Sequence, residues 1–265
     1  MAIRVLIVDD SAFMRNMLKR MITSSDDFEV VGLAENGLDG VQKTIELKPD
    51  VVTMDVEMPV MTGLDALERI MTQHPTPVVM VSTLTEKGAR ITLDALDKGA
   101  IDFLPKALQD ADKNVFKSAN ILHDKLRAAS KVKVSAIGTA TQISTTEAYT
   151  PSTGTQKLTD KKIMIVGSST GGPRALQSVI GGLSEHFPVP VVVAQHMPEE
   201  FTKALASRLN ETCNVQVELA TDGIEVKKGT VYIAPGGYHT RITTNNAGKN
   251  VISIKENIGE SVYKP

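Results

Sequence analysis

Short apolar runs alternate with stretches of helical periodicity along the first hundred residues. Helices are predicted over residues 12–22, 37–46, 63–71 and 89–96. The short apolar runs that predict strands are 5–8, 30–34, 51–54, 78–81 and 101–104. Five short strands that alternate with helices predict a parallel, doubly wound α/β sheet, which a last helix over about 110–129 would close.

A second alternating pattern begins at residue 162, after a segment rich in Ser, Thr, Gly, Ala and Lys that is typical of a linker. Its predicted helices are 173–180 and 199–210, and its predicted strands are 163–166, 189–194, 215–220, 230–234, 240–244 and 251–255. We therefore predict a first domain over 1–124, a linker over 125–160 and a second, doubly wound α/β domain over 161–265. The second domain holds fewer elements than such folds usually need, so we expect it to be incomplete at its C-terminal end.

Composition narrows the classes of partner and compartment. With 265 residues, 42% hydrophobic and 23% charged, the chain is typical of a two-domain globular protein, and a formal charge of −2 favours neither nucleic acid nor an anionic membrane. A single cysteine, Cys213, excludes an internal disulfide framework and fits a reducing compartment. No apolar run approaches the roughly 20 residues that span a bilayer, and no signal peptide is evident. We expect a cytosolic protein.

Charged side chains gather where the predicted strands of the first domain end. Asp9 and Asp10 follow the first strand, Asp55 ends the third and Lys106 follows the fifth. Because parallel strands end at one edge of a sheet, three carboxylates and one ammonium group should converge there. Carboxylates crowded together favour a hard divalent cation such as Mg²⁺, which would assist phosphoryl transfer to an aspartate. Ser82, at the end of the fourth strand, could then donate a hydrogen bond to the phosphate.

These residues and their surroundings resemble the receiver domain of two-component signalling, a flavodoxin-like fold, over nearly all of residues 1–124. The motifs that carry the resemblance are Val8-Asp9-Asp10-Ser11, Asp55-Val56-Glu57-Met58-Pro59, Gly63-Leu64, Val81-Ser82 and Lys106. The resemblance implies that Asp55 accepts phosphate from a histidine kinase. It implies that Mg²⁺ is held by Asp9, Asp10, Asp55 and the backbone carbonyl of Glu57, and that Ser82, Phe103 and Lys106 form the switch. Receivers usually have proline after the lysine, whereas Ala107 follows here, so the cis peptide expected at that bond is in doubt.

A glycine-rich turn in the second domain places a serine between a predicted strand and a predicted helix. Gly167-Ser168-Ser169-Thr170-Gly171 fits the G-x-S-x-G pattern, with Ser169 as the nucleophile. His196, at the end of the next strand, could act as its base. The turn alone would also fit a phosphate-binding loop or a purely structural turn. Asp222 and Glu225 are available as an orienting carboxylate, but nothing in the sequence marks either one.

The second half resembles the chemotaxis protein-glutamate methylesterase family, and together with the receiver and the linker it matches the family layout in order. The motifs are Val166-Gly167-Ser168-Ser169-Thr170-Gly171-Gly172-Pro173, Gln195-His196-Met197-Pro198, Phe201-Thr202, Arg208-Leu209-Asn210 and Tyr232-Ile233-Ala234-Pro235-Gly236. The resemblance implies hydrolysis of glutamate methyl esters, and deamidation of glutamines, on chemoreceptors. Ser169 would be the nucleophile and His196 the base, with Thr170 and Arg174 as substrate contacts and no cofactor in this domain.

The resemblance also raises an expectation about activity. The family carries its catalytic aspartate in a Gly-Met-Gly-x-Asp-Gly segment, which this sequence does not contain. We therefore expect little or no esterase activity, although Asp55 can be phosphorylated. We also expect a monomer. The alternative is a receiver-only signalling module or phosphate sink with an inert second domain. A DNA-binding regulator is disfavoured, because the second half has no helix-turn-helix pattern.

Overall fold

The structure, a computed structural model, describes residues 2–106, 111–134 and 163–256, and the side chains of 119–134 within the second of these stretches. The chain divides into two compact units, residues 1–145 and 146–265. Most of the predicted linker and the Lys106–Ala107 peptide bond lie outside the described residues. No helix in the described part of the chain combines the length and the apolar character needed to cross a bilayer.

The first unit is a five-stranded parallel sheet in the order β2-β1-β3-β4-β5, which confirms the predicted fold class. Its strands are β1 (Ile3–Val8), β2 (Phe28–Ala34), β3 (Val51–Asp55), β4 (Val78–Ser82) and β5 (Asp102–Pro105). Its helices are α1 (Ala12–Ile22), α2 (Gly37–Leu47), α3 (Gly63–Gln73), α4 (Glu86–Asp97) and α5 (Ala111–Ser130).

Local capping explains where these helices begin. The side chains of Ser11, Asn36, Thr62 and Thr85 each accept a hydrogen bond from a backbone N–H in the first turn of the helix that follows. Such caps satisfy donors that have no partner within the helix. The cap at Thr85 starts α4 at Glu86, three residues before the predicted start. The predicted start of this helix lay too far along the chain because its first turn contains no apolar residue.

Helix α5 extends past residue 124, where we had placed the end of the first domain. Leu126 and Ala129 are fully buried in the same core as Val5 of β1 and Val51 of β3. The apolar positions of α5 therefore continue to pack on the sheet for six further residues. Residues 125–130 belong structurally to the receiver unit rather than to a linker.

The second unit is also α/β, with a four-stranded parallel sheet in the order β6-β7-β9-β8 and a separate antiparallel hairpin, β10-β11. The strands are β6 (Met164–Ser168), β7 (Val191–Gln195), β8 (Gln216–Leu219), β9 (Thr230–Ile233), β10 (Tyr238–Thr244) and β11 (Asn250–Glu256), and the helices are α6 (Gly172–Gly181) and α7 (Glu199–Thr212). Ile252 of the hairpin is buried in one cluster with Val192, Ala220 and Tyr232 of the sheet region. The hairpin thus covers part of the sheet.

Candidate functional site

The structure brings together the three carboxylates that the sequence predicted at the receiver sheet edge. Oxygen atoms of Asp9, Asp10 and Asp55 lie within 4.8 Å of one another. Asp9 and Asp55 are buried, whereas Asp10 is exposed. The convergence follows from topology, because β1 and β3 are hydrogen-bonded neighbours in the sheet and both end at this edge.

Lys106 is the cation of this cluster, as predicted. Its Nζ lies 2.8 Å from Asp55 Oδ2 and 3.0 Å from Asp9 Oδ2. Burial raises the pKa of the Asp55 carboxyl above its ordinary value, and the neighbouring Asp9 adds to this, despite the ion pair with Lys106. Burial lowers the pKa of Lys106, but the two carboxylates outweigh it, so the pKa of the ammonium group is raised.

The donor set fits a hard divalent cation. Asp9 Oδ2 is buried and accepts no hydrogen bond of good geometry from the described residues, although the Lys106 ammonium group lies close to it. Asp10 and Asp55 open onto a cleft of about 140 Å³, whose lining also includes Glu57. Oxygen ligands beside an open cleft suit Mg²⁺, which usually keeps several waters and takes only a few protein carboxylates.

Two of the predicted switch residues, Ser82 at the end of β4 and Phe103 on β5, are buried. Ser82 is buried, and its hydroxyl donates to the carbonyl oxygen of Gly88 at 3.2 Å. The Phe103 ring is buried, and the Lys125 ammonium group lies 5.6 Å from its centroid. Lys125 also pairs with Asp102 at 2.8 Å in a largely buried contact. The sequence did not indicate this pair, because its members lie 23 residues apart on different elements.

In the second unit, the predicted nucleophile lies on the turn between β6 and α6. Gly171 has φ +73°, in the left-handed region that favours glycine, and Gly172 and Pro173 then begin α6. Ser169, Thr170 and Arg174 are exposed on and just after this turn. The local structure matches the strand-turn-helix context that the G-x-S-x-G pattern requires.

His196 lies beside that turn because β6 and β7 are parallel neighbours. Ser168 is in register with Gln195, so Ser169 and His196 each come one residue after a paired position. The backbone N–H of His196 donates to the carbonyl oxygen of Ser168 at 3.0 Å. Both Ser169 and His196 are exposed at this edge of the sheet.

A second loop packs against the segment that follows His196. The backbone of Gly236 approaches Met197 so closely that a Cβ atom at residue 236 would lie 1.9 Å from the Met197 carbonyl oxygen. Its N–H donates to the buried Thr202 hydroxyl at 3.1 Å. The negative charge of Glu199 raises the pKa of the Tyr238 phenol, with smaller contributions from burial, from the hydrogen bond that the phenol donates to Glu199, and from the charge of Glu256. These contacts hold the loop after β9 against the loop that carries His196.

The two carboxylates considered as triad members both have structural partners in the hairpin region. Asp222 accepts a hydrogen bond from the Ile254 N–H at 2.7 Å. Glu225 pairs with Lys249 at 2.8 Å. Both contacts tie the loop after β8 to the hairpin, so neither residue is marked as the orienting carboxylate of a triad.

Comparison with known proteins gives matches to both units. Residues 5–114 match the model of the response regulator receiver domain, and residues 164–265 match the model of the CheB methylesterase. The chain is 48% identical over 244 residues to the protein-glutamate methylesterase/protein-glutamine glutaminase of Thermotoga maritima, covering 92% of this chain and 69% of that relative. It is 43% identical over 272 residues to the protein of the same name from Bacillus licheniformis, covering 99% of this chain and 75% of that relative.

A solved structure resembles the first unit. The crystal structure of the response regulator domain of Thermotoga maritima CheB is 52% identical in sequence, with a TM-score of 0.46. The match covers 50% of this chain and 99% of that one.

Proposed function

Because the chain belongs to the family of protein-glutamate methylesterases/protein-glutamine glutaminases with a receiver domain, we propose that Ser169 and His196 are its nucleophile and its base. The substrates would be glutamate methyl esters and glutamine side chains on chemoreceptors. The observation that carries this proposal is the His196 N–H donating to the Ser168 carbonyl at the end of two paired strands. This hydrogen bond supports a position for the His196 base beside the exposed Ser169.

The reaction would follow the general course of serine hydrolases. Ser169 Oγ attacks the ester carbonyl carbon while His196 takes up the hydroxyl proton. When the bond to the methoxy group breaks, His196 returns the proton to the departing methanol. Water then hydrolyses the acyl-serine ester by the same route and leaves a glutamate carboxylate. The N-terminus of α6, three residues after Ser169, favours the negative charge that develops on the carbonyl oxygen.

We propose that Asp55 controls this activity as a phospho-acceptor. Asp9, Asp10 and Asp55, with the Glu57 carbonyl, would hold Mg²⁺, which supplies charge neutralisation for phosphoryl transfer when it is bound. Asp55 would attack the phosphorus as the ionised carboxylate, while the bond between phosphorus and the histidine nitrogen of the kinase breaks and the freed imidazole leaves. Lys106, now paired with two carboxylates, would turn part of its pairing to the new phosphate, and the Ser82 hydroxyl would turn from Gly88 to donate to it.

The proposed partners follow from these two roles. A histidine kinase would supply the phosphate, and methylated chemoreceptors would supply the substrate. We propose a monomer that works in the cytoplasm, where the single free thiol of Cys213 would stay reduced. Residues Thr170 and Arg174, exposed beside Ser169, are the proposed substrate contacts.

The phospho-acceptor role is tested by incubation with labelled acetyl phosphate and Mg²⁺. The protein should take up label, and Asp55→Asn should abolish it because an amide cannot attack the phosphorus. Asp26→Asn, which changes an exposed loop aspartate in the same unit, is the matched control and should label normally. Undiminished labelling of the Asp55 variant would contradict the assignment.

The esterase role is tested by methanol release from methylated chemoreceptors, in an assay sensitive enough for the low activity that we expect of a sequence without the Gly-Met-Gly-x-Asp-Gly segment. Ser169→Ala should abolish the release that this protein catalyses, and His196→Gln should reduce it strongly. Ser178→Ala removes an exposed hydroxyl from α6 without touching the turn and is the matched control. If Ser169→Ala releases methanol as fast as the unmodified protein, Ser169 is not the nucleophile.

A further inference from the structure

Gln195, the residue directly before His196, is buried under the Ser169 turn, and its side chain forms hydrogen bonds with both Ser168 and Ser169. Its Nε2 donates to the carbonyl oxygen of Ser169 at 3.0 Å, and its Oε1 accepts from the hydroxyl of Ser168 at 2.6 Å. The residue is only 2% exposed. Since the two bonds use both ends of the amide, they also fix its orientation.

The fit between Gln195 and the turn is tight. A Cβ atom at Gly172 would lie 2.0 Å from Gln195 Oε1, so only glycine leaves room for the amide at this position. The N–H of Gly172 donates to the same Ser169 carbonyl at 2.7 Å. The Ser169 carbonyl oxygen therefore receives two hydrogen bonds, one from the helix that follows the turn and one from the neighbouring strand.

Strand geometry separates this contact from the reacting face. Successive side chains of a strand point to opposite faces of the sheet. Ser168 and Gln195 are in register and meet on one side, while Ser169 and His196, one residue later, are exposed. With the bond from the His196 N–H to the Ser168 carbonyl, three hydrogen bonds join the dipeptide 168–169 to the dipeptide 195–196.

We propose that Gln195 is a positioning residue, which sets the place of Ser169 relative to His196 by holding the turn from its buried side. The proposal rests on the proposed roles of Ser169 and His196. It assigns to Gln195 no contact with substrate. Its effect is to restrict the turn to one arrangement, and misplacing reacting groups by about 1 Å can cost about a hundredfold in rate.

The first test measures the turn itself and needs no catalytic turnover. In Gln195→Leu, which keeps the side-chain size but removes both hydrogen bonds, the amides of Gly172 and His196 should exchange with solvent at least tenfold faster. Amide exchange would be followed by nuclear magnetic resonance in the whole protein. The amides of Ala220 and Ala234, bonded within the same sheet, should be unchanged. Unchanged exchange at Gly172 and His196 would overturn the proposal.

A conservative variant separates positioning from simple filling of space. In Gln195→Glu, the ionised carboxylate would repel the Ser169 carbonyl oxygen, whereas the protonated acid can donate to it. The ratio of the His196 amide exchange rate in Gln195→Glu to that in the unmodified protein should therefore be high at neutral pH. It should approach one as pH falls to about 5. A ratio that does not change with pH would show that the donor to Ser169 has no role.

The kinetic test distinguishes a failure here from a failure of the proposed function. In methanol release, Gln195→Leu should lower kcat about ten- to a hundredfold with KM nearly unchanged. Gln216→Leu, an exposed glutamine on β8, is the matched control. If Ser169→Ala keeps full activity, the nucleophile assignment fails, and the exchange result still decides whether Gln195 holds the turn. If Gln195→Leu keeps full kcat while Ser169→Ala loses activity, only the positioning role is wrong.

Discussion

Among the residues that the structure describes, Lys106 is the single cation between two buried carboxylates, and its replacement by methionine tests how the receiver site is held together. Its side chain is 12% exposed, that of Asp55 is 6% exposed, and that of Asp9 is fully buried. Methionine keeps a long apolar side chain but removes the charge. Lys106→Met would therefore leave both carboxylates without their ammonium partner.

The expected loss of stability is large and depends on pH. Removing one partner of a buried ion pair typically costs about 3–5 kcal/mol. We expect a loss of about 3 kcal/mol at neutral pH. The pKa of Asp55 in the folded protein is already raised, and losing Lys106 raises it further. A folded-state pKa above the unfolded value favours folding at low pH, so the loss should shrink as pH falls from 8 to 5.

The assay must report on the receiver unit alone. The chain has no tryptophan, and its four tyrosines, at 149, 232, 238 and 263, all lie beyond α5. Tryptophan or tyrosine fluorescence would therefore not report on the receiver unit. Amide hydrogen exchange of the buried strands β1, β3 and β4 would measure the free energy of unfolding of this unit directly. Lys87→Met is the matched control, because its pair with Glu57 is solvent-exposed and should contribute less than about 1 kcal/mol.

The stabilisation that Mg²⁺ provides tests the same charge balance in a second way. A divalent cation between the carboxylates should stabilise Lys106→Met more than the unmodified protein, because it supplies the missing positive charge. The reasoning is refuted if Lys106→Met loses no more stability than Lys87→Met. It is also refuted if the loss grows as pH falls, since that is opposite to the expected protonation of Asp55.

Four further outcomes test separate parts of the structure. Leu126→Ala should destabilise the receiver by about 2–5 kcal/mol in the same exchange assay, and a negligible loss would place α5 outside the core. Val60→Gly should stabilise it by about 1 kcal/mol, because Val60 has φ +68°, and a loss would argue against strain there. Gly172→Ala should displace Gln195 and speed His196 amide exchange, and unchanged exchange would contradict the close fit. Acetyl phosphate labelling of Asp55 should fall as pH drops through its raised pKa; labelling that rises would contradict an ionised nucleophile.

The secondary structure of both units was predictable because its signals are local. The α1 helix matches its predicted bounds, since Ser11 caps its start and its apolar positions recur at helical spacing. The missed first turn of α4 has no apolar residue to mark it, and only the Thr85 cap does so. The end of the first domain was misplaced for a different reason. The boundary at residue 124 falls within the helix predicted over about 110–129, and Leu126 and Ala129 are buried in the core of the same unit.

The positions of the candidate reactive groups were predictable because parallel strands all end at one edge of their sheet. Asp9, Asp55 and Lys106 were identified from residue type and strand position, and the structure places the Lys106 ammonium group within 3.0 Å of both carboxylates. Ser169 and His196 follow the same rule on β6 and β7. The topology of a parallel sheet alone decides which strand ends lie at the same edge.

The groups that hold these side chains in place could not be predicted in the same way. Gln195 matters because its amide meets Ser168, Ser169 and the space above Gly172, and all three contacts depend on the register of two strands. Lys125 pairs with Asp102 only because α5 packs across β5. A reactive residue is recognised by its own chemistry, but a supporting residue is defined by its partner. This is why the sequence shows Gln195 only as part of a motif around His196, whereas its contacts with the Ser169 turn are seen only in the structure.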